Sequence, residues 1–142
     1  MVRPAPALLC AMACSLAAPA LAAPGVALTS NVYVERSGAS SRVIEPAARL
    51  RPGARVVTVL SWKRTGPGRG FTLTNRLPPA LQFAESADDS QQVSVDGGRT
   101  WGRLGRLRID GRMAVPEEVT HIRWRISTPA PQGRIAYSAI VR

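Results

Sequence analysis

Cysteine is almost missing from this 142-residue chain, and its only two copies, Cys10 and Cys14, both sit close to the start. Everything after Cys14 therefore lacks disulfide staples, thiolate-held zinc and thiol catalysis. Histidine occurs once, at His121, and lysine once, at Lys63. A single imidazole with no cysteine near it leaves no Cys/His ligand set of the three or four that a metal site needs. Aromatic residues make up only 5% of the chain, and acidic residues number 9 against 19 basic ones. No stretch of apolar residues reaches the roughly 20 needed to span a bilayer as a helix. No segment past residue 22 has convincing helical periodicity, no internal repeat is found there, and a propeller or solenoid within the chain is not expected.

What the N-terminus does contain is the pattern of an export signal. Arg3 precedes the apolar stretch Ala7 to Ala18, and Ala20, Leu21 and Ala22 form a small-x-small cleavage pattern. The expected organisation is a secretory signal peptide over 1–22 and one domain over 23–142. Cys10 and Cys14 leave with the signal unless one of them is lipidated. Ala11, Met12 and Ala13 before Cys14 do not match the Leu-led pattern of a lipoprotein. The location that follows is periplasmic or secreted, with no membrane span in the mature protein. Without Arg3 the charge is 18 basic minus 9 acidic, or +9. Such a charge acts at any anionic envelope surface or polyanion.

The rest of the chain alternates with period two. Val26, Leu28, Val32 and Val34 share one face, and a turn at Ser37 to Ser41 follows. Val56, Thr58, Leu60 and Trp62 share another, with Val57 and Val59 opposite, which predicts a central strand. Phe71, Leu73 and Leu77 lead to Pro78 and Pro79, where a ladder ends. Leu81 and Phe83 return to the core. Ile122, Trp124 and Ile126 alternate with His121, Arg123 and Arg125, and Ile135, Tyr137, Ala139 and Val141 form the last strand. The expected fold is all-β: an immunoglobulin-like antiparallel sandwich of two sheets with seven to eight strands. Its expected core is Trp62, Trp124, Ile122, Ile126, Leu60, Val57, Val59, Tyr137 and Phe83.

Two short patterns carry resemblances. Leu50, Arg51, Pro52 and Gly53, a Val/Thr-rich strand, Gly66, then Leu77, Pro78, Leu81 and Phe83 occur in an order that resembles the bacterial extracellular domain of unknown function 11. Arg64, Thr65 and Gly66 replace that family's usual turn, and Asn75 stands where Asp often does. Val93 to Trp101 and Val119 to Trp124 resemble its longer secreted versions, so the likeness runs from Leu28 to Arg142. It implies an immunoglobulin-like sandwich on an exported or surface protein, with no activity attached. Separately, Ser94, Asp96, Gly98, Thr100 and Trp101 resemble the Asp-box of sialidases and other propeller glycosidases. On physical grounds those residues make a structural turn: the Asp accepts backbone N–H groups, glycine allows the tight bend, and Trp packs beneath. A glycan contact through the turn is the alternative.

No catalytic residues are expected. Asp88 with Asp89 and Glu117 with Glu118 are neighbours, and neighbours in a strand point to opposite faces. Calcium at Asp88, Asp89 and Asp96 fits no known loop spacing. The serines lack a nucleophile-elbow signature. No metal or cofactor is therefore expected. The candidate binding residues are Arg99, Arg103, Arg106, Arg108 and Arg112 grouped around Trp101, and Arg123 with Arg125 on an exposed strand face. Arginine forks phosphate and sulfate, and a nearby aromatic adds stacking. The plain alternative is a solvated face in an arginine-rich proteome. The expected function is an exported structural or binding module of the envelope, with anionic envelope polymers or another envelope protein as partners and no specific readout of nucleic acid. A polyanion-binding domain and a glycan-binding or glycan-active protein are its alternatives.

Overall fold

The computed structural model describes residues 20–21, 25–37, 42–47 and 49–142. The remainder of the expected signal segment, with Cys10, Cys14 and the cleavage position, lies outside the described residues, as does most of the Ser37 to Ser41 turn. Among the described residues the chain is all-β, and every strand pairing is antiparallel. Strands β1 (Ala20–Leu21), β5 (Phe71–Arg76), β10 (His121–Ile126) and β7 (Gln92–Ser94) form a four-stranded sheet in the order β1-β5-β10-β7. Strands β2 (Val26–Ser37), β3 (Arg42–Pro46), β4 (Arg55–Arg64), β6 (Leu81–Ser86) and β11 (Gln132–Val141) form a five-stranded sheet in the order β3-β2-β4-β11-β6. A small hairpin, β8 (Arg108–Ile109) with β9 (Arg112–Met113), and one 3-10 turn at Pro116–Glu118 complete the described elements. Among the described residues, eight of the eleven strands are longer than two residues.

Alternation decides which residues are inside. Val56, Thr58, Leu60 and Trp62 of β4 are buried, as are Ile135, Tyr137, Ala139 and Val141 of the neighbouring β11. β4 is central, flanked by β2 and β11, because it carries branched side chains on both faces. Val57 and Val59, expected in the core, instead face outward and are half-buried. They follow from the same preference of β-branched residues for a pleated surface, which does not tell the two faces apart. Trp62 lies over Gly133, its partner across the ladder, and packs edge-on against Phe71 with ring centroids 5.3 Å apart.

The two sheets meet in one β-sandwich-like core whose largest fully buried side chains include Trp124, Leu60, Leu73 and Ile122. Full burial of each Leu or Ile contributes roughly 1.5–3 kcal/mol. Trp124 of one sheet and Tyr137 of the other have ring centroids 5.9 Å apart. Buried polar groups need partners, and here the partners also join the sheets. Asn75 Nδ2 donates to the Tyr137 hydroxyl at 3.0 Å, and Trp124 Nε1 donates to Ser86 Oγ at 3.0 Å. The β11–β6 ladder shifts register between Ser138 and Ala139. Beyond β6, Gln82 Nε2 donates to Glu117 Oε1 of the 3-10 turn at 2.9 Å, and Arg142 donates to the Glu117 carbonyl.

Candidate binding face

The outer surface of the four-stranded sheet is set by β10. Its apolar residues Ile122, Trp124 and Ile126 are buried, so His121, Arg123 and Arg125 are turned outward. The register places Arg123 between Thr74 of β5 and Gln92 of β7, Arg125 beside Thr72, and His121 between Arg76 and Ser94. β5, β7 and β10 contain no Asp or Glu. Thr72, Ser90, Gln92, Arg123 and Arg125 line a cleft of about 400 Å³ on this face.

The turn after β7 supplies the edge of the face. Val93 and Gly102 exchange backbone hydrogen bonds at 2.8 and 3.1 Å, closing a loop that holds all five residues of the expected turn. Ser94 Oγ donates to Asp96 Oδ1 at 2.7 Å and accepts from the Gly98 N–H at 2.9 Å. The N–H groups of Arg99 and Thr100 donate to the Asp96 carboxylate at 3.1 and 2.9 Å. These donors, the Thr100 N–H foremost, hold the Asp96 carboxyl well below the usual carboxylate range. Gly98 adopts φ of 91°, a conformation that favours glycine. Its carbonyl accepts from Trp101 Nε1 at 2.8 Å. Thr120 ties the turn to the start of β10, because its N–H and hydroxyl both donate to the Ser94 carbonyl and its hydroxyl accepts from the Gly97 N–H.

Trp101 is where turn and strand meet. The Arg123 guanidinium carbon lies 4.4 Å from the Trp101 ring centroid, and Arg123 Nε donates to Gln92 Oε1 at 2.9 Å. His121 stands edge-on to Trp101 at 6.4 Å, and its Nδ1 is 3.0 Å from the Thr120 hydroxyl. Partial burial, and then the Arg76 charge, lower the His121 pKa from its ordinary 6.5, which favours the neutral ring.

The remaining candidate arginines do not gather around Trp101. Arg103 donates to the Asp89 carbonyl at 2.7 Å, Arg108 to the Gly111 carbonyl at 3.2 Å, and Arg112 forks the Glu118 carboxylate. Arg99 and Arg106 are exposed on turns. The cause is local. The β8–β9 hairpin reverses the chain through Asp110 and Gly111, both at positive φ, and carries Arg108 and Arg112 to their own acceptors. Sequence reasoning also passed over Thr72, Ser90 and Gln92, whose place at the cleft depends on strand pairing. It passed over Arg64 as well, which packs on Trp62 and Phe71 and donates to the carbonyls of Gly68, Arg69 and Thr128. That arginine fastens loops.

Three of the four carboxylates in the acidic pairs are engaged locally. Asp88 Oδ1 accepts from the Ser90 N–H at 2.7 Å, Glu118 pairs with Arg112, and Glu117 accepts from Gln82. Among the described residues no group of three or more His, Cys, Asp or Glu is arranged to hold a metal ion, and no helix is long and apolar enough to cross a membrane. Compared with protein-family models, with curated proteins and with solved structures, the chain matches none.

Proposed function

We propose that the protein is an exported, non-catalytic binding module of the cell envelope or periplasm, with the strand topology of an immunoglobulin-like sandwich. Its basic sheet face takes an anionic envelope polymer. The observation that carries this reading is the shared cleft of Arg123 and Arg125, bordered by hydroxyl and amide side chains, on strands that hold no carboxylate. Arginine in such a setting offers several N–H donors to a phosphate, sulfate or carboxylate. The non-catalytic reading is supported by the state of the carboxylates: Asp96, Glu118, Glu117 and Glu85 are all engaged in structural hydrogen bonds.

The test is co-sedimentation of the purified protein with cell-envelope fractions at low and high salt. Affinity that falls steeply with salt, and that drops in an Arg123→Ala/Arg125→Ala double variant, is the expected result. Binding that ignores salt and fails on Trp101→Ala favours the glycan-binding alternative, for which the observation is the placement of Trp101 on the face by its turn. Turnover in a glycan-hydrolysis assay that is lost on Asp96→Ala with folding intact overturns the non-catalytic reading.

A further inference from the structure

The geometry points to a discrete site at Arg123 for one tetrahedral oxyanion, a phosphate or sulfate group, with Trp101 and Gln92 as its positioning residues. This rests on the anionic-ligand reading above and narrows it from a charged face to one forked contact.

Two independent contacts fix the Arg123 guanidinium. Trp101 packs against it at 4.4 Å, and the hydrogen bond from Nε to Gln92 at 2.9 Å restrains it from the side. A guanidinium has five N–H donors, and Nε carries only one of them. The two Nη groups, with the other four, have no acceptor among the described residues. Arg64, Arg103 and Arg112 differ, because their Nη groups donate to carbonyls or to a carboxylate. Arg123 is thus held through its flat face and its Nε, and its fork is left without an acceptor among the described residues at a cleft that Arg123 lines.

The surroundings of the fork select the shape of the ligand. Arg125 lies two residues along the same strand, which separates the two backbone positions by roughly 7 Å. That spacing lets both long side chains reach one small anion through charge-assisted hydrogen bonds of about 2.7–2.9 Å. Thr72 and Ser90 add hydroxyl groups to the same cleft. A planar carboxylate that accepts both bonds from Arg123 keeps only the remaining lone pairs of the same two oxygens, all close to one plane. A tetrahedral anion has further oxygens for Arg125 and the hydroxyls, so the cleft as a whole suits it better.

The turn also gains a purpose. Asp96 and Ser94 shape the loop, the Gly98 carbonyl fixes the Trp101 indole, and Trp101 orients Arg123. Trp101 acts through Arg123 rather than on the anion.

The experiment is titration of the purified protein with inorganic phosphate, sulfate and acetate, followed by the NMR signal of the Arg123 Nε–H, alongside binding of polyphosphate and dextran sulfate. Saturable one-to-one binding of phosphate or sulfate, with acetate much weaker, is the expected result. Arg123→Lys keeps the charge and removes the fork, and it is expected to weaken the inorganic anion at least about tenfold. Trp101→Phe keeps an aromatic face and is expected to stay within about threefold of the parent, whereas Trp101→Leu loses more. Circular dichroism confirms that each variant folds. The polymer bound more tightly identifies the source as a phosphate or a sulfate ester. Arg123→Lys or Trp101→Leu binding inorganic anion like the parent overturns the fork or the positioning role respectively. Acetate equal to phosphate and sulfate overturns the tetrahedral assignment. In each of those cases retained polymer binding leaves the broader reading standing, whereas failure of both polymers to bind removes both.

Discussion

Gly133→Ala tests the close packing of the five-stranded sheet against Trp62. A Cβ at this position falls 2.5 Å from Trp62 Cζ2, 2.7 Å from Cε2 and 3.0 Å from Nε1. Ordinary contacts of this kind are about 3.5–4.0 Å, so the indole has to move. Its freedom is limited, because Trp62 is 4% exposed and its ring meets Phe71 at 5.3 Å. Replacing a strand glycine that has room gains about 0.5–1 kcal/mol. Overpacking a closed site costs about 1–3 kcal/mol. The net expectation is a loss of about 1–2 kcal/mol, or a Tm lower by roughly 4–8 °C for a chain of this size. Thermal unfolding followed by circular dichroism measures it. Gly66→Ala, where no atom lies within 4 Å of the added Cβ, is the control and keeps or raises the Tm. Trp62→Leu removes the ring that the added Cβ meets, so a double-mutant cycle should recover most of the penalty. A Gly133→Ala protein that melts at or above the parent temperature, or a cycle with no coupling, refutes the reasoning.

Tyr137→Phe takes away the hydroxyl that accepts from buried Asn75, leaving Asn75 Nδ2 with the Arg76 carbonyl at 3.2 Å; a loss of about 1–2 kcal/mol is expected from urea unfolding. The lowered pKa of His121 means that the unfolded chain binds its proton first as pH falls, so this contribution is complete above 6.5 and is lost as pH drops through the folded value. Urea midpoints measured against pH should show that decline in the parent and a flatter profile in His121→Gln. Glu118, lowered from 4.5 to about 2 chiefly by the Arg112 hydrogen bond, contributes above 4.5 and loses its contribution as pH falls toward about 2; Glu118→Gln should remove that acid-range slope. Asp96→Ala removes the acceptor for the Arg99 and Thr100 N–H groups, and hydrogen exchange at those two amides should accelerate while the β4 and β11 amides stay protected.

The strands most legible in the sequence were those with one dry face. Ile122, Trp124 and Ile126 in β10, and the alternate residues of β4 and β11, repeat with period two because each buries one side. The β8–β9 hairpin was missed although Asp110–Gly111 is a turn-forming pair, because two residues on each arm are too few to alternate. Val57 and Val59 were misplaced because branched side chains suit either side of a central strand. At the candidate site the turn was readable, since its five residues are close in sequence and bond locally. The meeting of Trp101 with Arg123 was not, because it depends on how β7 registers against β10. Proximity in sequence instead suggested Arg99 to Arg112 as neighbours of Trp101, and a hairpin between them sends Arg108 and Arg112 elsewhere.

The treatment of β6 bears on how copies of the molecule behave when crowded. A bare outermost strand offers its N–H and C=O groups to any similar strand, which is the route to edge-to-edge aggregation. The ladder of β6 with β11 is broken by the register shift at Ser138 and Ala139, and Gln82 is tied to the 3-10 turn through Glu117. A straight incoming strand meets an irregular and obstructed border there. On the polymer-binding reading proposed above, copies lined up along one polymer would stand side by side at high local concentration, and such a border would oppose fusion of their five-stranded sheets through β6.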